Sequence, residues 1–294
     1  MAIIKPVDES KIFIQDLPSW GNEEQHISIL RLDAIHPIIS GNKWYKLQYN
    51  LEAAIQQKCT GILTFGGAFS NHLIATAAAA QANNLSSIGM VRGMLDPTKD
   101  LNPVLQQCQN YGMKLVFLSR EDYAQKEELP FLEKLNKKYP QYYIIPEGGA
   151  NDAGRKGMQS LAQHIPPNCS HILLCVGSGT TFAGLRNVLP SHQHLLGFAP
   201  MKGGKYLTEE VKRHIQCPQD VHWEITDRFH FGGFGKTTDE LNSFMQEFPK
   251  QYGFELDRVY TAKMMYGLKQ MLFEKAFPSH AKILCIHTGG LTGN

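Results

Sequence analysis

Apolar positions along this chain follow two periods, and the period switches at short glycine-containing turns. Ile27-Ser28-Ile29-Leu30-Arg31-Leu32 alternates in the manner of a half-buried strand. Leu47, Leu51, Ala54 and Ile55 then recur at helical spacing and predict a helix over 46–57. Short apolar runs predict strands at 61–65, 87–91, 114–118 and 142–145, separated by helical patterns at 70–83, 102–111 and 121–138. The second half alternates again without repeating the sequence, with strands at 171–176, 195–198 and 283–287. Its helical patterns cover 152–164, 181–188, 205–214, 238–248 and 257–273. In the last of these, Met264, Met265, Leu268 and Met271 share one face and read as core. Residues 1–45 otherwise read as extended segments and turns, one of them marked by Pro18, Gly21 and Asn22.

Strand and helix in alternation predict an α/β protein with parallel sheets covered by helices on both faces. Ligands of such sheets lie beyond the strand C-termini, where the glycine turns fall here. No proline- or serine-rich linker separates the halves; a division into two domains would have the chain cross between them near residues 45 and 146.

At 294 residues the chain is long enough for one large or two modest domains. Its charge is nearly balanced, 29 Lys+Arg against 27 Asp+Glu, with no dense basic block, which argues against nucleic acid or an anionic membrane as partner. No apolar run approaches the roughly 20 residues of a membrane helix. Met1 to Asp8 lack the charged-then-apolar layout of a signal peptide. Six cysteines are scattered without a CxxC pair, which argues against zinc and fits a reducing, cytoplasmic setting.

Candidate chemistry gathers at four junctions. In Ser40-Gly41-Asn42-Lys43-Trp44-Tyr45-Lys46-Leu47, Asn42 is placed to cap the following helix and Lys43 falls at its first turn, where a desolvated amine becomes a nucleophile toward an aldehyde. Gly66-Gly67-Ala68-Phe69-Ser70-Asn71-His72 opens a helix whose free N–H groups favour a carboxylate. In Val176-Gly177-Ser178-Gly179-Thr180-Thr181, a buried strand feeds a glycine turn and then a helix. That turn lacks the Lys-Ser/Thr pair of a Walker loop and the spacing of GxGxxG, so it suits a monophosphate better than a pyrophosphate. Ile286-His287-Thr288-Gly289-Gly290 would aim a hydroxyl at the same crevice, with His287 read as a core or rim residue.

A lysine, an anion-binding helix start, a monophosphate cradle and a terminal hydroxyl together suit pyridoxal 5′-phosphate. Read in order, Ser-Gly-Asn-Lys-x-x-Lys-Leu, Gly-Gly-x-x-Ser-Asn, Pro-Glu-Gly-Gly, Gly-Ser-Gly-Thr-Thr, Leu-Asp-x-Val-Tyr-Thr-x-Lys and His-Thr-Gly-Gly carry a resemblance to the 1-aminocyclopropane-1-carboxylate (ACC) deaminase/D-cysteine desulfhydrase family. These are PLP-dependent enzymes of the tryptophan synthase β-like fold, and the resemblance runs from about residue 28 onward. It implies two open, twisted, mostly parallel sheets with helices on both faces. It also implies a large cofactor-binding domain of residues 1–45 and 146–294, a small domain of residues 46–145, and a homodimer.

The resemblance further implies roles for single residues. Lys43, and not Lys46, looks like the lysine that carries the cofactor. Asn71 matches the residue bonded to the cofactor's phenolic oxygen, and Ser70 the serine beside the substrate carboxylate. Gly177, Ser178, Gly179, Thr180 and Thr181 match the phosphate loop, Tyr260 an active-site tyrosine, and Thr288 the hydroxyl facing the pyridine nitrogen. The expected catalytic set is therefore Lys43, Ser70 and Tyr260.

Two positions depart from the deaminase pattern. Thr261 stands where that branch has a glutamate, and Phe234 where it has a second tyrosine. Both departures favour β-elimination from a small amino acid such as D-cysteine over ring opening of ACC. A PLP-binding protein with little lyase activity is the reading from another class. Trp44 and His72 are expected to add bulk near the lysine.

Overall fold

The computed structural model describes residues 3–18, 20, 24–94, 98, 100–217 and 219–290, so the turn at Gly21 and Asn22 lies outside the described residues. The strands are β1 (Ile14–Asp16), β2 (His26–Arg31), β3 (Gly61–Gly67), β4 (Ser86–Arg92), β5 (Met113–Leu118), β6 (Tyr142–Ile145), β7 (His171–Cys175), β8 (His194–Phe198), β9 (Trp223–Thr226) and β10 (Lys282–His287), most of the inner ones built largely on isoleucine and leucine. They make two sheets. One has six strands in the order β1-β2-β10-β7-β8-β9, parallel except for β1, and the other has four parallel strands in the order β5-β4-β3-β6. The mostly parallel α/β architecture expected from the sequence is therefore present.

The helices are α1 (Lys43–Gln56), α2 (Asn71–Ala82), α3 (Pro103–Asn110), α4 (Arg120–Ala124), α5 (Leu129–Lys138), α6 (Asp152–Leu161), α7 (Thr180–Arg186), α8 (Tyr206–Lys212), α9 (Asp239–Tyr252) and α10 (Thr261–Phe273). Ser70, Asn102, Asn151 and Thr238 cap α2, α3, α6 and α9 with side-chain oxygens, Asn102 satisfying two and the others one of the backbone donors that a helix start leaves free. α2 owes its place to its alanines. Leu73 through Ala80 are all buried, so a helix with almost no polar face threads between layers.

Four readings needed correction. β2 is buried on both faces: Leu30 joins the core shared with Trp44 and Leu47, while Ile27 and Ile29 join the core around α10. It is an inner strand between β1 and β10, which is why the alternation there did not signal a solvent face. The single helix expected over 121–138 is two, α4 and α5, because the chain turns at 125–128 and Pro130 starts the second. The last long helix begins at Thr261 rather than Asp257. β1 and β9 were not expected; at three and four residues they are too short to show a period.

α1 joins the two halves. It packs against α6 and also touches α2. The approach to α6 is very close: a Cβ on Gly157 would sit 1.6 Å from the Tyr45 carbonyl oxygen. Only glycine permits that crossing, and the crossing sets where Lys43, at the head of α1, points.

Candidate active site

The first and last motifs interlock. Gly41 has φ +64°, and a Cβ there would lie 1.9 Å from the Thr288 carbonyl oxygen. That carbonyl accepts the Asn42 N–H at 3.4 Å. The turn ahead of α1 thus rests on the end of β10, two segments nearly 250 residues apart in sequence.

Asn42 does not cap α1 with its side chain, contrary to expectation. Its Nδ2 instead donates to Thr181 Oγ1 at 2.9 Å, and its Oδ1 accepts from Lys43 Nζ at 2.9 Å. This ties the lysine to the turn before α7 through one buried amide. Burial lowers the Lys43 amine to about 8, with Asp257 pulling in the opposite direction. Near neutral pH a useful fraction is the free amine.

Lys46, one turn on, is buried as well. Burial first, and then the Lys43 charge, bring it down to about 7. Beside it is His72, which burial and then Lys46 and Lys43 lower to about 3, so the ring is neutral at ordinary pH. Its tautomer follows from its partners. Thr64 Oγ1 gives its one proton to the Ile145 carbonyl at 2.9 Å, so the 3.0 Å contact with His72 must be donated by Nε2–H. Nδ1 is then a bare acceptor, buried and without a partner among the described residues. Gly149 closes this pocket, with its Cβ position 3.1 Å from Lys46 Cβ and 3.8 Å from His72 Cε1.

The turn Gly177-Ser178-Gly179-Thr180-Thr181 follows β7 and opens α7, as expected. Gly179 is left-handed (φ +73°), Ser178 Oγ lies 2.9 Å from Thr180 Oγ1, and both threonines are buried. A Cβ on Gly148 would lie 3.5 Å from Ser178 Oγ, so the Pro-Glu-Gly-Gly turn borders both this loop and Lys46. Tyr260 covers the loop from above: a Cβ on Gly177 would be 3.5 Å from its ring and from its hydroxyl. Burial and then the Asp257 charge raise the Tyr260 phenol above its ordinary range, so it is a proton donor here. Phe234 sits edge-on to Tyr260, centroids 5.8 Å apart, and is 56% exposed at the rim.

Asp257 is the buried carboxylate of this region, and its oxygens are already used. Oδ1 accepts the N–H groups of Val259 and Tyr260, and Oδ2 accepts the N–H and the hydroxyl of Thr261. The Thr261 hydroxyl is therefore spent on Asp257. Ser70 caps α2 through its Oγ, and Asn71 Nδ2 donates to the Gly290 carbonyl at 3.3 Å. His287 is structural: Nε2 bonds the Glu255 carbonyl while Nδ1 accepts the Gly289 N–H, which holds the turn carrying Thr288.

The structure links most of the sequence-predicted residues by contact: Lys43 to Thr181 through Asn42, Tyr260 to Gly177, Asn71 to Gly290, and Thr288 to Gly41. Lys46, Asn42, Asp257 and Gly148–Gly149 were missed as site residues, although all lie inside the quoted motifs. Trp44 does not narrow the pocket. It is fully buried in the core, and only its indole N–H lacks a partner. A surface groove of about 450 Å³ lined by Trp20, Phe244, Phe248 and Tyr252 shares no residue with this site.

Comparison with known proteins identifies the family of the chain. The family described as "Pyridoxal-phosphate dependent enzyme" matches residues 14–289. A Thermotoga maritima protein named "Putative 1-aminocyclopropane-1-carboxylate deaminase" is 30% identical over 91% of this chain and 89% of its own length. A Pyrococcus horikoshii protein of the same name is 29% identical over 95% and 89%. A solved structure titled as an ACC deaminase homologue superposes with a TM-score of 0.80 at 28% identity, covering 96% of this chain and 90% of that one.

The residues present fit pyridoxal phosphate. Two desolvated lysines, two buried threonine hydroxyls and the free N–H groups at the head of α7 face a region whose carboxylate is already saturated by four donors. Such a set lacks an anion, and a phosphate monoester with an aldehyde within reach of Lys43 completes it.

Proposed function

Because the chain belongs to the pyridoxal-phosphate-dependent enzyme family, we propose that it is a lyase that removes ammonia from a small amino acid, with D-cysteine-type β-elimination as its reaction. The products from D-cysteine and water would be pyruvate, ammonia and hydrogen sulfide. Bound pyridoxal phosphate supplies an electron sink for charge at the substrate α-carbon.

The chain's own residues divide the remaining work. Lys43 Nζ would hold the cofactor and, as a free amine, would take the substrate α-proton; burial brings that amine down to about 8, close to the range suited to a general base. Lys46 and the Gly177–Thr181 turn hold the phosphate, and Asn71 holds the ring. Ser70, at the head of α2, receives the substrate carboxylate. The Tyr260 hydroxyl, kept protonated by burial, donates to the departing β-substituent. Thr288 offers a neutral hydroxyl to the pyridine nitrogen.

The observation that carries elimination over ring opening is the state of Thr261. It occupies the position of the deaminase glutamate, and its hydroxyl is committed to Asp257. With no glutamate at that position and both Asp257 oxygens already taken by four donors, a neutral hydroxyl would face the pyridine nitrogen, and the weaker sink suits a β-leaving group that departs readily. Phe234 likewise brings no hydroxyl to the rim. The second reading is ACC deamination, favoured by the names of the relatives. Unpaired cysteines fit a reducing cytoplasm, and the family resemblance supports a homodimer with the two sheets as the cores of two domains. No helix among the described residues is long and apolar enough to cross a membrane.

A side-by-side assay of D-cysteine, β-chloro-D-alanine and ACC at equal concentration tests the proposal. Sulfide and pyruvate from D-cysteine are expected. Efficient 2-oxobutanoate from ACC with no sulfide from D-cysteine would establish the second reading in its place.

A further inference from the structure

Lys263, one turn into α10, is 1% exposed and makes no ion pair among the described residues. Its Nζ donates to three backbone carbonyls, Pro200 at 3.1 Å, His230 at 2.9 Å and Gly233 at 2.8 Å. An ammonium has three N–H donors, so all are used, and all reach loops rather than helix or strand. Pro200 follows β8; His230 and Gly233 belong to the glycine-rich segment that carries Phe234. The two loop carbonyls are shared. His230 O also accepts the Gly233 N–H at 2.9 Å, and Gly233 O the Lys236 N–H at 3.1 Å. The ammonium therefore closes two successive turns at once.

That segment needs holding. Phe231, Gly232, Gly233 and Gly235 all have positive φ, at +49°, +88°, +122° and +69°. Phe231 packs on Tyr266 and Phe229 on Phe198, but Phe234 is more exposed than buried and its resolved ring partner is Tyr260. Its own burial cannot fix its place. The Tyr260 backbone in turn is anchored to Asp257, just ahead of α10. One helix thus sets both sides of the rim, Tyr260 through Asp257 and Phe234 through Lys263.

We propose that Lys263 is a positioning residue whose ammonium clamps the segment 229–236, sets Phe234 against Tyr260, and so fixes the mouth through which the amino acid enters. The proposal rests on the reading of Tyr260 as substrate-facing. It also predicts a pH response. A neutral amine has two N–H groups for three carbonyls, and burial brings Lys263 down to about 8. Of the titratable groups facing it, Asp257 before α10 favours the charged form, while Cys175 from β7 is held as a neutral thiol by burial.

Hydrogen exchange of the cofactor-loaded protein tests the clamp, with Lys263→Met as the variant. Amides of 229–236 should exchange at least tenfold faster in the variant, while β7, β8 and β10 keep their protection. The visible band of the bound cofactor should stay, and KM should rise severalfold with kcat changed less. Unaltered exchange in 229–236, or faster exchange with KM unchanged, overturns the proposal. Should Lys263→Met not fold, the parent decides: protection of 229–236, corrected for intrinsic exchange, should fall as pH passes about 8, and constant protection to pH 9.5 overturns it. Exchange is read whether or not any amino acid turns over. Failure of the lyase assay and failure of the clamp are therefore separate results.

Discussion

Lys43 and Lys46 lie one helical turn apart on α1, yet their surroundings divide them. Lys43 Nζ is held by Asn42, whose amide also reaches Thr181 of the Gly177–Thr181 turn, whereas Lys46 faces Gly149 and the neutral His72. Borohydride reduction of the loaded protein followed by peptide mapping should place the pyridoxyl label on Lys43; a label on Lys46 or Lys263 would reverse the assignment. Lys46→Met should leave the chain folded and weaken cofactor binding by about 10- to 100-fold, the worth of one hydrogen bond to a charged group at about 1.5–3 kcal/mol. Titration of the visible band measures it. Tyr260→Phe should keep that band and lower turnover by about 10²- to 10⁴-fold, as expected for loss of a positioned proton donor. Loss of the cofactor from a folded Tyr260→Phe protein would instead mark the tyrosine as a cofactor ligand.

The elements matter through their closest approaches. α1 is aimed by its contact with Gly157 of α6, and a valine there would have to push the Tyr45 backbone away. Gly157→Val should cost about 3 kcal/mol or more in a denaturant melt, the range for overpacking against a backbone that cannot move freely. The fraction that folds should bind the cofactor poorly, because Lys43 moves with α1. Gly179→Val tests the proposed phosphate role of the Gly177–Thr181 turn differently. Its φ of +73° disfavours a branched side chain by about 1–3 kcal/mol, and Val211 Cγ2 would lie 2.9 Å from the new Cβ. Cofactor retention should fall far more than stability. Equal retention in Gly179→Val would make the turn merely structural.

For the molecule as a whole, buried bases set the pH dependence of the cofactor-free chain. His72, Lys46 and Lys43 all bind protons less readily folded than unfolded. Wherever the unfolded chain holds more protons, stability rises with pH. The His72 contribution should therefore be lost as pH falls below about 6.5, and the lysines should add stability as pH climbs from about 7 toward 10.5. The buried thiols of Cys108, Cys175 and Cys285 are raised, so above about 9 the unfolded chain loses protons first and their term reverses the trend. Denaturant midpoints should climb from pH 5 to about 9 and then fall. Added pyridoxal phosphate should flatten the part between 7 and 9, because a phosphate beside Lys46 restores its ammonium. A midpoint that falls steadily from pH 6 to 9 without cofactor would contradict the burial of these groups.

The sequence by itself determined the strand–helix alternation, the glycine junctions and the order of motifs, because local periodicity and turn chemistry are properties of adjacent residues. Lys43, Ser70 and the Gly177–Thr181 turn stand at such junctions in the structure for that reason. What only the tertiary structure decided was pairing. The seat of Gly41 on Thr288, the loss of the Thr261 hydroxyl to Asp257, and the use of Asn42 as a bridge rather than a cap all depend on contacts across long stretches of chain or on which neighbour wins a single proton. Trp44 shows the converse: the motif placed it beside the lysine, and helix α1 turned it into the core, because adjacent residues on a helix point about 100° apart. Lys263 was visible as a letter in a motif, but its three carbonyl partners come from two loops more than 25 residues upstream, and no pattern along the chain announces them.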